Sequence, residues 1–377
     1  MSHRTRLITS LVLFVTAFAQ AGELPTAEPE AVGLSPGKLD RLKPALQKLV
    51  DDGKIAGGVA VVARRGKVAC AASFGSRNLE TKEPMTEDTI FAIASMTKPI
   101  TCVGVMRLVE QGKIGLDDPV SKYLPELKGL RVLGDPKDDT ENEVATVPAE
   151  RAIMVRDLLS NTSGFSYVRS LTNNDCLGKS YARAGVQGRR LKTIAEQVEH
   201  LGKAPLAHQP GEGWTYGLSH DVLGCLIEVV SGQSFDAYLR EHIFTPLDMH
   251  DTFFAVPEAR WCRKATIYRA NEQGALTPLP ANYGSETFFS GGGGLFSTAR
   301  DYTRSAHMLL NGGTLDGARI LKPETIALMT TNQIGDRSAF GMKYGLGFGL
   351  FLTRAPHQDK PVRGRYCFWG GLYSTNF

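Results

Sequence analysis

Ser95-Met96-Thr97-Lys98 sets a hydroxyl and an amine three residues apart, between an apolar run (Phe91-Ala92-Ile93-Ala94) and a segment of helical character. A helix beginning at Ser95 puts both side chains on one face, one turn apart. Serine is a poor nucleophile until a base lies within hydrogen-bond reach, and an amine so placed can take its proton. The pair reads as a catalytic dyad. Ser35-Pro36-Gly37-Lys38 has the same spacing, but there Ser35 reads as an N-cap and Pro36 as the first helical residue before Leu39, Leu42, Ala45, Leu46 and Leu49. From spacing alone the better reading of Ser95 is also a cap, with Lys98 a solvated first-turn lysine. The two contexts differ, however: beyond Ser95, residues Val103, Val105, Met106, Leu108 and Val109 suit a buried helix ending near Gly112, and Pro99 is tolerated in the first turn.

The elements that must position this pair are legible on both sides of it. After the first helix, 58–63 and 67–72 read as two strands joined at Arg65-Gly66, a hairpin. From Pro99 to about Leu310 the pattern is mainly helical with long loops, including a polar stretch from Gly134 to Thr146. Strand-like sequence returns at 344–352 and 365–371. The economical architecture is α/β (α+β), with an antiparallel sheet formed from both chain ends (about 30–94 and 311–377), an inserted helical lobe (about 95–310) and a cleft between them. No internal repeat is visible. Gly291-Gly292-Gly293-Gly294, before a helix capped by Thr298 and Asp301, matches neither nucleotide-binding glycine pattern and reads as close backbone approach in a packed loop.

Composition limits the functions open to the chain. With 377 residues, 42% hydrophobic and 22% charged, it can form one large domain or two interleaved lobes. The N-terminus has a basic start (His3, Arg4, Arg6), an apolar stretch from Leu7 to Ala19, and small residues at Ala19 and Ala21 before Gly22. Residues 1–21 are thus expected to be a secretory signal peptide, leaving an exported (periplasmic or secreted) domain over 22–377 without a stable membrane span. The net charge of +4 falls toward neutrality once that segment is removed, so nucleic acid is not an expected partner. The six cysteines include no C-x-x-C pair and the eight histidines no zinc-ligand spacing, so neither metal nor cofactor is expected. A Cys176–Cys262 bridge remains open.

A second serine chemistry is easily set aside. Gly217-Leu218-Ser219-His220-Asp221 holds Ser, His and Asp in a row, but triad members converge from separate parts of a fold, and no G-x-S-x-G elbow occurs. Ser219 reads as the N-cap of a helix carrying Val222, Leu223, Leu226, Val229 and Val230 and ending at Gly232.

The segment Phe91 to Thr101 resembles the nucleophile segment of the class C β-lactamase-like serine hydrolases, which include β-lactamases, D-Ala-D-Ala peptidases and family VIII esterases. Further resemblances occur in family order: 158–164 (LLSNTSG), 210–219 (PGEGWTYGLS) and 368–371 (FWGG). The resemblance runs from about residue 30 to the end and lies nearest the esterase-like branch. It implies a β-lactamase-like fold, Ser95 as the acylated nucleophile, and Lys98 and Tyr216 sharing its proton. It also implies an oxyanion hole from the amides of Ser95 and Leu372. Lysine and tyrosine normally titrate near 10, so either acting as a base at neutral pH needs a shift of roughly three units, which burial and mutual coupling can supply.

Departures from the β-lactamase pattern bear on substrate. Leu218 stands where that pattern has asparagine, and Trp369-Gly370-Gly371 where it has Lys-Thr-Gly. The first removes an amide for an acylamido group, the second a cation and hydroxyl for a carboxylate. Both favour a less polar ester, with Leu218, Trp369, Gly370 and Gly371 at the substrate site and Trp369 lining an apolar acyl pocket. Family members continue past the Trp-Gly-Gly strand with further strands and a C-terminal helix, so these are expected to be missing from a chain ending at Phe377. The expected activity is cleavage of carboxylic esters, small-molecule esters or amides being the partners. The alternatives are a β-lactamase or D-Ala-D-Ala carboxypeptidase and, outside enzymes, an inactive relic or cell-wall ligand-binding protein.

Overall fold

Pro44 decides how the chain enters its first sheet. A proline in a helix clashes with the carbonyl four residues before it, here that of Asp40. The single helix expected after Ser35 is accordingly broken into Pro36–Leu39 and Leu42–Asp51, which leaves Pro44 in a first turn. Ser35 occupies the N-cap position but its side chain makes no capping hydrogen bond. The computed structural model describes residues 24–135, 144–167, 175–186, 190–351 and 366–377. The signal peptide expected at 1–21, most of the polar stretch after Gly134, and the strand-like positions 352 and 365 lie outside the described residues.

The expected hairpin is present as strands Gly57–Arg64 and Lys67–Asn78, in antiparallel register from Gly57↔Gly75 to Arg64↔Lys67, with Glu83–Pro84 added along the second strand. A second pairing matters more for the site: Phe91–Ala92 lies antiparallel to Phe296–Ser297, and Ile93 N–H donates to the Leu295 carbonyl at 3.1 Å. It draws the nucleophile segment against the tetraglycine loop, some two hundred residues away in sequence.

The strands from the two chain ends do not share a sheet among the described residues. The C-terminal strands Lys343–Tyr344, Gly349–Phe351 and Tyr366–Phe368 form an antiparallel sheet of their own. Beyond Phe368, backbone groups that could have bonded an N-terminal strand bond the end of the chain instead. Gly371 N–H donates to the Thr375 carbonyl (2.7 Å) and Phe377 N–H to the Trp369 carbonyl (3.2 Å). Two short ribbons, Arg131–Leu133 with Thr146–Pro148 and Tyr268–Ala270 with Leu276–Pro278, also lie in the stretch expected to be helical. Their strands are too short for alternation to register in a sequence pattern.

The main core is built on two helices. Thr97–Glu110 is apolar nearly all round and buried from Thr97 to Met106, as a helix enclosed on all sides must be. It packs against Ser219–Ser231, whose Val222, Leu223, Leu226 and Ile227 are fully buried. That helix ends, as expected, at Gly232 in the left-handed region. Its N-cap is Leu218 rather than Ser219, because the Ser219 hydroxyl is taken by Ser163 Oγ at 2.9 Å. Thr298 caps Ala299–Leu310 by accepting from Asp301 N–H, whereas the Asp301 carboxylate turns away to the Asp251 amide and the Thr252 hydroxyl. All six cysteines are free thiols, Cys176 and Cys262 included. No helix among the described residues is long and apolar enough to cross a membrane.

Leu223 and Val229 share one helix but not one environment: Leu223 is fully buried and Val229 is 54% exposed. Leu223→Ala is expected to cost about 2–5 kcal/mol in denaturant unfolding, and Val229→Ala no more than about 0.5 kcal/mol. Equal losses would show that the helix does not anchor the core.

Candidate active site

Ala94 shapes the approach to Ser95. Its φ of +45° lies in the left-handed region, where a residue with a Cβ is disfavoured, so the chain turns sharply out of the strand Phe91–Ala92. A single 3-10 turn over Ala94–Met96 comes next, and the α-helix starts at Thr97, two residues later than expected. Three-residue spacing still places both side chains together, with Lys98 Nζ 3.3 Å from Ser95 Oγ.

Lys98 is fully buried and has three hydrogen-bond acceptors: Ser95 Oγ, Tyr167 Oη at 3.1 Å and the Gly292 carbonyl at 2.7 Å. Three acceptors match the three N–H bonds of an ammonium, which is what a cation removed from water requires. Its Nζ also lies 4.5 Å from the centroid of the Tyr216 ring. Burial alone would depress the Lys98 pKa, but electrostatic attraction to Tyr167 and Tyr216, with their hydrogen bonds, outweighs it and the net direction is upward.

The two tyrosines diverge. Burial pushes Tyr167 up to about 12, keeping it a phenol. Burial also raises Tyr216, but the Lys98 cation overcomes it, helped by Ser95 and the Trp369 indole, and its pKa falls below the ordinary tyrosine value. The Trp369 N–H is near enough to favour a phenolate, yet no hydrogen bond of full geometry joins the two. The arrangement therefore places a Lys98 ammonium beside a Tyr216 phenol that ionises more readily than an ordinary tyrosine, and shifted groups of this kind cluster at functional sites. A phenolate there can take the Ser95 proton while Lys98 holds the charge in place.

Backbone segments fix these groups. Asp221 Oδ1 accepts from Ser290 Oγ (2.6 Å) and from Gly292 N–H (3.2 Å), while Thr101 Oγ1 donates to the Gly291 carbonyl (2.8 Å). A Cβ on Gly291 would stand 2.1 Å from the His220 carbonyl, which is why the loop approaches so closely only as glycine. Asn161, fully buried in the 158–164 motif, donates from its side chain to Tyr344 Oη (2.9 Å) and accepts at its carbonyl from Thr215 N–H (2.9 Å), steadying the loop segment that carries Tyr216.

Ser95, Lys98 and Tyr216 thus come together. Trp369 is buried against Tyr216, ring centroids 5.7 Å apart, and against Tyr344 at 5.3 Å. Leu218 is buried in the core, so an apolar packing residue fills the place of the family's amide. A Cβ on Gly371 would lie 2.4 Å from the Ile93 carbonyl, so this glycine seats the strand end on the nucleophile segment; Gly370 lies against Asn376. The amides of Ser95 and Leu372 donate no hydrogen bond among the described residues. The Leu372 side chain is largely exposed. Sequence reasoning missed Tyr167 and the Gly292 carbonyl. Tyr167 lies three residues past Gly164 of a motif already singled out, a signal that could have been pursued; a main-chain carbonyl leaves none.

The profile of the Beta-lactamase family matches residues 42–377. Protein Rv1367c of Mycobacterium tuberculosis is 35% identical over 353 residues, covering 89% of this chain and 86% of the relative. Esterase EstB of Burkholderia gladioli is 30% identical over 377 residues, covering 93% of this chain and 89% of the relative. Among solved structures, EstCE1, described as a hydrolase with promiscuous acyltransferase activity, superposes with a TM-score of 0.72 at 27% identity, over 89% of this chain and 88% of that one.

The charge pairing is testable without a substrate. Because the Lys98 cation lowers the Tyr216 pKa, tyrosinate should appear at lower pH than for free tyrosine, and Lys98→Met should move that component upward. Tyr216→Phe should delete it. An ultraviolet difference titration indifferent to Lys98→Met would contradict the pair.

Proposed function

This chain belongs to the beta-lactamase family of serine hydrolases, on its esterase and acyltransferase branch, and from that premise we propose that it cleaves carboxylic esters through an acyl-enzyme on Ser95. The observation that carries this reading is the buried Lys98 ammonium, with Ser95 Oγ at 3.3 Å and the Tyr216 ring beside it. Tyr216 as phenolate takes the hydroxyl proton of Ser95, and Oγ attacks the ester carbonyl. The amides of Ser95 and Leu372 receive the negative charge of the tetrahedral oxygen. The intermediate collapses as the carbonyl–alkoxy bond breaks and the leaving alkoxide takes the proton from Tyr216. Water, or a second alcohol, then gives a proton to Tyr216 and attacks the acyl carbonyl; as the Oγ–acyl bond breaks, Ser95 takes that proton back from Tyr216 and an acid or a new ester is released. Lys98 stays charged throughout and keeps the phenolate accessible.

An ester suits the site better than a β-lactam or a peptide. Leu218 and Trp369 replace an amide and a cation that would bind polar substituents, and the packed rings of Trp369 and Tyr216, backed by the buried Tyr344, supply apolar surroundings. We propose export as well, supported by the basic start and the apolar stretch from Leu7 to Ala19; sequencing the N-terminus of the protein made in a Gram-negative host, expected to begin near Gly22, tests it.

Intact-mass analysis after a reactive ester is expected to show one acyl adduct on the native protein and on Ser35→Ala, and none on Ser95→Ala. An adduct persisting on Ser95→Ala would remove Ser95 from its role. A related expectation concerns selectivity: kcat/KM for short-chain aryl esters should exceed that for penicillins or D-Ala-D-Ala peptides by well over tenfold. Each missing polar partner accounts for about 1–3 kcal/mol. Comparable rates on a cephalosporin and a butyrate ester would contradict the ester assignment.

A further inference from the structure

Residues 339–342 form the tip of a hairpin, where Ala339 and Met342 exchange both backbone hydrogen bonds, at 2.8 and 3.0 Å. The two residues between them, Phe340 and Gly341, have φ of +52° and +82°. Positive φ at both central positions is the type I′ pattern, whose first central position suits Asn, Asp or Gly. A bulky side chain there opposes its own backbone. Among the described residues the other non-glycine positions of positive φ carry Arg, Lys, Ala, Asn, Asp or Ser, so Phe340 alone presents a large apolar group from this conformation. Burial does not compensate, because the residue is 60% exposed.

The ring is nevertheless held in a definite place. Its centroid lies 5.0 Å from that of Trp214 at an interplanar angle of 77°, and 5.7 Å from that of Tyr216 at 69°, both edge-to-face. Arg337, on the same hairpin, donates from Nε to the Glu212 carbonyl at 2.7 Å and so ties the tip to the segment that carries Trp214 and Tyr216. Tyr216 in turn meets Trp369 at 5.7 Å. Phe340 is therefore the outermost member of a run of rings that leads inward to the phenol beside Ser95.

We propose that Phe340 is a specificity-determining lip of the active site that receives a flat apolar ring carried by the ester. This rests on the ester-cleaving reading and names its substrate class. A ring entering beside Phe340 would extend the edge-to-face packing already made with Trp214 and Tyr216, the arrangement that aromatic quadrupoles favour. An unbranched alkyl chain gains area there but no such geometry. The unfavourable turn residue is kept, on this account, because Asn or Gly would relax the backbone and lose the ring.

Phe340→Asn separates these effects, since asparagine suits the turn and removes the aromatic face. Against benzyl butyrate, methyl phenylacetate, methyl octanoate and methyl butyrate, the variant is expected to lower the ratio of kcat/KM for the two ring-bearing esters to that for methyl butyrate by about three- to tenfold. The loss should fall mainly on KM, with a melting temperature equal to or above the native one. Phe340→Tyr should restore the ratio. In the Ser95→Ala background, Trp fluorescence titration with benzyl butyrate should show the same weakening, a readout that needs no turnover. An unchanged ratio with unchanged binding overturns the assignment, and so does an equal loss on methyl octanoate, which would mark the lip as merely apolar. Failure of the native protein to cleave any of the esters would refute the ester-cleaving reading instead, while the binding arm would still decide on Phe340.

Discussion

A lysine taken fully out of water has to be given acceptors, and that requirement organises this molecule. The desolvation cost of a buried ammonium is several kcal/mol unless every N–H is matched. Lys98 finds its acceptors on three stretches of chain: Ser95 one turn back, Tyr167 and the Gly292 carbonyl. To deliver the last, the segment before Ser95 pairs with the segment after the glycine loop, through Ile93 and Leu295, and Asp221 and Thr101 hold the loop by its own amide and carbonyl. Gly291, with no Cβ, lets this loop close on the His220 carbonyl, beside the Gly292 carbonyl that the cation meets.

The second layer is aromatic. Tyr216 meets Tyr167, Trp214 and Trp369, and Tyr344 closes the group from beneath through Asn161. Such surroundings lower the local dielectric and so strengthen the field of Lys98 at the Tyr216 oxygen. On the proposed ester-cleaving reading, the same rings would leave little for a charged or amide-bearing substrate to bond. One set of side chains would therefore bear both on the ionisation of Tyr216 and, on that reading, on the polarity of what binds.

How far the fold was legible depended on the range of the interactions involved. The hairpin at Arg65-Gly66, the end of a helix at Gly232 and the cap at Thr298 rest on residues close in sequence, and they stand where the pattern put them. The cap assigned to Ser219 did not, because a serine from a distant motif, Ser163, competes for its hydroxyl. The joint sheet of the two chain ends did not either: which strand bonds a free edge is a contest among distant partners, and residues 375–377 occupy that edge. Pro44 is a local signal, legible in the sequence, that splits the first helix.

By itself the sequence determined the relation of Ser95 to Lys98, because three residues in a helical turn fix two side chains on one face whatever surrounds them. The ordered motifs around Tyr216 and Trp369 determined the family and its fold. Tertiary structure alone decided the directions in which the tyrosine pKa values move and the third acceptor. A phenol's pKa depends on the distance of a cation and on the water excluded around both, neither of which is a property of local sequence. The Gly292 carbonyl is a group that every residue possesses, and only folding made it the one that Lys98 meets.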